Sequence, residues 1–110
     1  MNLKEKSCEP CKGGVPPLNE AEASALLIDT PGWSLIDNNK KLECTYKFSD
    51  FATALNLAVK AANIAEEEGH HPDITFGWGY CKILFYTHKI NGLHENDFIM
   101  AAKINMLADS

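Results

Sequence analysis

The stretch KLECTYKF, residues 41–48, alternates strictly between apolar and polar side chains. In an extended chain this alternation places Leu42, Cys44 and Tyr46 on one side, while the intervening residues, mostly charged, lie on the other. Only one face of such a strand needs cover from a hydrophobic core. The pattern is typical of an antiparallel sheet that carries helices on one side.

The residues before this stretch add a helix and the other half of a hairpin. Asn19 followed by Glu22 has the spacing of a helix capping box, and Pro31 ends that helix. A short strand over 33–36 and a turn at 37–40 then lead into the stretch.

The residues after it predict the rest of the fold. A long helical pattern starts at Ser49 or Asp50 and stops at Gly69, and its predicted inward face consists of Phe51, Leu55, Ala58, Ala62 and Ala65. Two strands follow, the second over 80–87, and a last helix runs over 94–107. The order α-β-β-α-β-β-α predicts an α+β fold, in which three helices cover one face of a four-stranded antiparallel sheet.

Length, composition and charge limit the function classes. We expect a flexible leader over 1–17 and a single domain over 18–110, because 110 residues support one core. The formal net charge of −5 and the scattered lysines do not fit nucleic-acid binding. No apolar run approaches the ~20 residues of a membrane span, and no signal-peptide pattern opens the chain, so a cytoplasmic location is expected.

The leader contains a C-x-x-C pair, Cys8 and Cys11, within CEPCKGGVPP. No second pair completes a zinc site, and the βαβ pattern that accompanies the redox motif is absent. Two interpretations stay open: an incidental flexible segment, which we favour, and a redox or metal site. Cys44 and Cys81 fall at apolar strand positions and are predicted to be core residues.

Three of the four histidines fall at element ends that could meet in one cleft. His70 and His71 follow the end of the long helix, and Pro72 forces the chain after them into an extended conformation. His88 closes the fourth strand, and Asp97 follows just inside the last helix. These four side chains are our candidate catalytic residues.

Each candidate also has a purely structural explanation. An imidazole near a helix C-terminus and an acidic side chain in a helix first turn are both stabilised by the helix dipole. Glu66 belongs most simply to a solvated face, and His94 to a helix N-cap, so His94 is left out of the site.

Three histidines and a carboxylate are compatible with two chemistries, metal binding and acid–base catalysis near neutral pH. Adjacent residues of an extended segment point to opposite sides, so His70 and His71 are poorly placed to bind one metal together. Acid–base work is therefore favoured.

The same residues resemble the pattern of the pterin-4a-carbinolamine dehydratase family. The resemblance covers the chain from about Leu18 to its C-terminus. The matching residues are Glu66, His70-His71-Pro72, Trp78, Thr87-His88, Gly92-Leu93 and Asp97.

The resemblance implies a hydro-lyase that dehydrates 4a-hydroxytetrahydropterin to quinonoid dihydropterin in tetrahydrobiopterin recycling, without a metal or organic cofactor. His70 and His88 would form the acid–base pair, and His71 would hold the pterin ring. Asp97 would orient an imidazole with Glu66 in support. Pro72 and Trp78 are assigned to substrate binding together with Glu66 and His71.

The resemblance also implies a homodimer or homotetramer and a link to an aromatic amino-acid hydroxylase. The predicted strand over 80–87 is apolar on both sides, and we expect it to form a subunit interface through Leu84 and Tyr86. Two alternatives to the enzyme stay open, a dimerisation or coactivator module and a small histidine-ligated metalloprotein.

Overall fold

The computed structural model describes residues 3–9 and 15–109, and it confirms the predicted fold class. The helices are α1 (Glu20–Leu27), α2 (Phe51–Glu68) and α3 (Glu95–Ala108). The strands are β1 (Ser34–Ile36), β2 (Lys41–Lys47), β3 (Asp73–Gly77) and β4 (Tyr80–Phe85). Two 3-10 helices complete the described elements, at Leu3–Glu5 and His88–Ile90.

The four strands form one antiparallel sheet in the order β1-β2-β4-β3. β4 is therefore an interior strand, paired on both sides, and it ends at Phe85 rather than continuing to Thr87 as predicted. The chain pairs once more beyond the strand, where Thr87 forms a bridge with Gly92. Tyr86 separates the strand from this bridge, and the 3-10 helix starts immediately after Thr87.

The core lies between the sheet and the helices. Leu42 of β2 and Ile83 and Phe85 of β4 are fully buried, as the alternation of residues 41–48 predicts for that face. α3 contributes Phe98 and Ile104, also fully buried.

The inward face predicted for α2 is partly wrong. The buried residues are Ala54, Leu57, Ala58, Ala61 and Ala65. Ala58 and Ala65 were predicted correctly, whereas Phe51 and Leu55 are 46% and 39% exposed and Ala62 is exposed. The helix is apolar over much of its circumference, so periodicity alone allows more than one buried stripe, and the observed stripe consists of four alanines and Leu57.

The open face of the sheet is mixed rather than continuously apolar. Lys82 of β4 forms an ion pair with Glu43 of β2 at 3.5 Å, and the Lys41 ammonium lies 4.9 Å from the centre of the Tyr86 ring. Leu84 and Tyr86 are half-buried within the single chain. A larger group of exposed apolar side chains lies elsewhere, on α2 and the edge strand β3: Phe51, Leu55, Val59 and Phe76.

The N-terminal residues 3–9 pack against the domain. Leu3 is only 5% exposed and belongs to the core, and Lys103 donates from its ammonium to the Lys4 carbonyl at 3.1 Å. The division into a leader over 1–17 and a domain over 18–110 stays a prediction. Cys11 lies outside the described residues. None of the helices in the described ranges is long and apolar enough to cross a membrane.

Candidate active site

The corner after α2 separates the two adjacent histidines. Gly69 ends the helix with φ at +70°, a left-handed conformation that glycine adopts without steric cost, and the His70 N–H donates back to the Ala65 carbonyl at 3.1 Å. The His70 side chain is then turned inward, at 12% exposure, whereas the His71 side chain is 61% exposed. The two imidazoles diverge from one backbone, as expected for adjacent residues.

His70 is held by a buried carboxylate. Its Nε2 lies 2.5 Å from Oδ1 of Asp97, whose side chain is fully buried. The imidazole also stacks on Phe85, with the ring centres 5.8 Å apart and the planes 7° from parallel. These contacts fix both the position and the plane of the His70 ring.

The second oxygen of Asp97 is also fully engaged. Oδ2 accepts from the Thr87 hydroxyl at 2.8 Å and from the His94 backbone N–H at 3.0 Å. The latter bond completes the capping box of α3, in which His94 is the N-cap and its Nδ1 accepts from the Asn96 N–H at 3.0 Å. Asp97 therefore caps a helix and orients an imidazole at once, and His94 has the capping position that the sequence predicts.

His88 is presented by the turn after β4. It is the first residue of the 3-10 helix, it is exposed, and its ring centre lies 4.1 Å from that of Tyr86. The structure describes no hydrogen bond from its ring nitrogens to residues 3–9 or 15–109.

The three histidines line one cleft of about 510 Å³. Tyr86, Thr87 and Lys89 contribute further wall, as do Glu68 and Gly69 at the end of α2. The volume lies within the range of small-molecule cavities, roughly 300–1,000 Å³. The structure thus brings together the predicted cluster of His70, His71, His88 and, behind His70, Asp97.

Two other predicted residues stand at the edge of this cluster. The Glu66 side chain contacts His71, whose Nε2 lies 2.7 Å from Oε1 of Glu66 on the exposed surface. Pro72 is half-buried at the corner and sets the direction in which the chain enters β3.

Trp78 is not brought to the cleft of its own chain. It lies in the β3–β4 turn and is 72% exposed. The hairpin register pairs Asp73 with Leu84 at the cleft end and Gly77 with Tyr80 at the other. At ~3.3 Å per residue, Trp78 is roughly 15 Å along the hairpin from Asp73. Trp78 is close to His70 and His71 in sequence, but the intervening strand β3 places it at the far end of the hairpin.

Sequence reasoning missed the contribution of the N-terminal segment to the cleft, which consists of Cys8 and Glu9. Burial, reinforced by the nearby Glu68 carboxylate, raises the pKa of the Cys8 thiol to about 12. Only tertiary contacts bring them here, because more than 50 residues separate them from the nearest histidine.

The described residues contain no group of three or more His, Cys, Asp or Glu side chains that could hold a metal ion. The α+β domain carries an imidazole–carboxylate pair at the base of a small cleft. This arrangement defines a class of protein that can perform acid–base chemistry on a small molecule.

Comparison with known proteins identifies the family. Residues 16–107 match the sequence model of the pterin 4 alpha carbinolamine dehydratases, and the chain belongs to this family. A relative from Methylococcus capsulatus that is named after these dehydratases is 56% identical over 107 residues, which cover 97% of this chain and 94% of the relative. A second, from Cupriavidus pinatubonensis, is 52% identical over 96% of this chain and 91% of the relative.

Solved structures give the same result. A crystal structure titled transcriptional coactivator/pterin dehydratase, from Brucella melitensis, has a TM-score of 0.79 and 34% identity, covering 84% of this chain and 98% of that one. A pterin dehydratase-like protein described as a RuBisCO assembly factor in the α-carboxysome has a TM-score of 0.62 and 26% identity, covering 72% and 92%.

The Cys8 environment predicts low thiol reactivity. A thiol with a pKa of about 12 holds far less thiolate at pH 8 than a free cysteine with a pKa of about 8.5, and the thiolate is the reactive form. We expect iodoacetamide to alkylate Cys8 at least roughly a hundredfold more slowly in the folded protein than in urea. Peptide mapping by mass spectrometry measures this rate, and equal rates in both conditions would show that the segment is not held as described.

Proposed function

We propose that this chain dehydrates 4a-hydroxytetrahydropterin to quinonoid dihydropterin. In this reaction the C4a–O bond breaks, a proton adds to the departing hydroxyl to give water, and the N5 proton leaves as the C4a=N5 double bond forms. One group must therefore donate a proton and another must accept one. Family membership and the three-histidine cleft support this proposal.

The observation that carries the proposal is the buried His70–Asp97 pair at the base of the cleft. Both Asp97 oxygens accept from neighbouring donors, and Oδ1 faces Nε2 of His70. A carboxylate in this position favours the tautomer with a proton on Nε2, which leaves Nδ1 of His70 to accept a proton from substrate. Asp97 is thus a positioning residue and His70 the proposed base.

His88 is the proposed partner of His70 in proton transfer. It lines the same cleft, and as an exposed imidazole it can exchange protons with water between turnovers. His71, mostly exposed and paired with Glu66, is proposed to hold the pterin ring at the mouth of the cleft, with Glu66 and Pro72 supporting its orientation.

Substitution of the acid–base pair tests the division of roles. A positioned general acid or base contributes ~10²–10⁴-fold, or about 3–5 kcal/mol of barrier. We expect His70→Ala and His88→Ala each to lower kcat at least roughly a hundredfold with unchanged circular dichroism. We expect His71→Ala to raise KM more than it lowers kcat, because it removes binding that is equal in the ground and transition states. The assay follows chemically generated 4a-hydroxytetrahydropterin, with the uncatalysed dehydration subtracted.

His94→Ala is the matched control for these variants. Its side chain caps α3 outside the cleft, so we expect a loss of about 1 kcal/mol in the free energy of unfolding and nearly full activity. Near-normal turnover by His88→Ala would contradict the shared cleft. An inactive but folded His94→Ala would show that the wrong histidines were assigned.

We also propose that the substrate is supplied in the cytoplasm by an aromatic amino-acid hydroxylase, whose hydroxylated pterin product this chain would return to tetrahydrobiopterin recycling. The same assay can use the hydroxylase as the source of substrate. Failure to accelerate the dehydration of that product would refute the link.

The proposed reaction requires no metal. Imidazoles and a carboxylate can provide both proton transfers, so we expect full activity after prolonged chelation with EDTA and dialysis. Metal analysis of the same sample provides the control. Loss of activity on chelation together with recovery on adding zinc would favour the metalloprotein alternative.

We propose that the chain forms a homodimer or homotetramer. The β4 surface at Leu84 and Tyr86 stays our first candidate for the interface, and the exposed group Phe51, Leu55, Val59 and Phe76 is a second apolar surface. We expect sedimentation at micromolar concentration to show an oligomer, and Leu84→Glu to dissociate it. Dissociation by Leu55→Glu but not by Leu84→Glu would move the interface to α2, and a monomer at every concentration would contradict assembly.

A further inference from the structure

The N-terminal segment forms part of the cleft wall. Cys8 and Glu9 line the same cavity as His70, His71 and His88. They precede the region that matches the family model, which begins at residue 16. This wall therefore lies outside the region that the family model matches.

The segment is held there by specific hydrogen bonds. The Asn96 side chain, in a residue only 2% exposed, accepts from the Glu9 N–H at 3.0 Å through Oδ1 and donates from Nδ2 to the Glu9 carbonyl at 2.6 Å. Glu68 Oε1 accepts from the Cys8 N–H at 2.8 Å. Two bonds from one amide to one residue fix the position of the Glu9 backbone as well as its direction.

The same turn of α3 holds both walls of the site. Asn96 forms hydrogen bonds with the backbone of Glu9, and the next residue, Asp97, holds the His70 imidazole. Both residues lie in the first turn of α3. A substrate held by Glu9 would thus be placed relative to the His70 imidazole by rigid structure, which is the requirement for productive positioning.

Two carboxylates line the cleft, those of Glu9 and Glu68. Glu68 is engaged by the Cys8 N–H and lies 3.9 Å from the Lys103 ammonium. Within residues 3–9 and 15–109 no hydrogen bond or ion pair engages the Glu9 carboxylate, and the residue is exposed. The neutral thiol of Cys8 beside it contributes no competing charge.

A pterin offers a matching partner on the edge away from the reacting atoms. Its 2-amino group and N3–H are two parallel donors, and C2 lies across the pyrimidine ring from C4a. A carboxylate accepts such a pair through its two oxygens. We propose that Glu9 is the specificity-determining residue that binds the 2-amino and N3–H edge of the pterin, while Asn96 positions it. This inference rests on the proposed function.

Binding of two probes to wild type and Glu9→Gln tests the proposal. The probes are 7,8-dihydropterin, with an amino group at C2, and 7,8-dihydrolumazine, with an oxo group there. We expect wild type to bind dihydropterin about tenfold or more tightly, because the oxo group faces a carboxylate that cannot donate. A glutamine amide can donate to that oxo group and accept from N3–H. Glu9→Gln should therefore bring the ratio of the two probe affinities to about one, or reverse it. Titration calorimetry without oxygen measures both affinities.

Kinetics and two further variants separate binding from folding. We expect Glu9→Gln to raise KM for 4a-hydroxytetrahydropterin about tenfold with kcat within about twofold. Glu5→Gln removes an exposed carboxylate of the same segment outside the cleft and should change neither the probe ratio nor KM. Asn96→Ala should raise KM similarly, and adding Glu9→Gln to it should have little further effect, since both act on one contact.

The outcomes distinguish this inference from the proposed function. An unchanged probe ratio and KM in Glu9→Gln, with active wild type, would overturn the role of Glu9 and leave the dehydratase proposal standing. A wild type that neither binds dihydropterin nor accelerates dehydration would overturn both.

Discussion

The Asp97 carboxylate is the interaction on which the site depends. A buried charge is strongly unfavourable unless donors surround it, and Asp97 has three: the His70 imidazole, the Thr87 hydroxyl and the His94 backbone N–H. These donors come from the end of α2, the end of β4 and the start of α3. The carboxylate thus links three elements at one point, and the correct geometry of His70 follows from the correct packing of all three.

Helix ends and strand ends provide the other site residues. Gly69 turns the chain at the end of α2, so that His70 points inward and His71 outward. The 3-10 helix after β4 presents His88 beside Tyr86. Because Asp97 and Phe85 hold the His70 ring, this imidazole is positioned before any ligand binds, and a pre-organised group loses little entropy at the moment of reaction.

Family membership and local structure make different contributions to the functional argument. Family membership supports the proposed substrate class, a pterin carbinolamine, and the structure independently brings three histidines together in one cleft. Local structure adds the N-terminal segment and the exposed apolar face of α2. The first closes one side of the cleft through Asn96 and Glu68, and the second leaves Phe51 in contact with Phe76, ring centres 5.6 Å apart, on the surface.

The sequence by itself determined the elements and their order. The alternation of residues 41–48 specified a one-sided strand, and Asn19 with Glu22 and Asp50 with Gly69 marked helix ends, because capping and periodicity are local interactions. It also pointed to the three histidines of the cleft and to Asp97. These residues lie at helix ends and at a strand end, and such ends can meet at one edge of an α+β fold.

Tertiary structure alone decided the buried face of α2, the orientation of His70 and the positions of Trp78 and Glu9. Each of these features depends on residues that are distant in sequence. Tertiary structure buried the face of α2 that carries four alanines and Leu57, and it left Phe51 and Leu55 exposed. It turned His70 rather than His71 towards Asp97, 27 positions away, and carried Trp78 to the far end of a hairpin. It placed Glu9 against Asn96, 87 positions away, where no periodicity or motif could predict a contact.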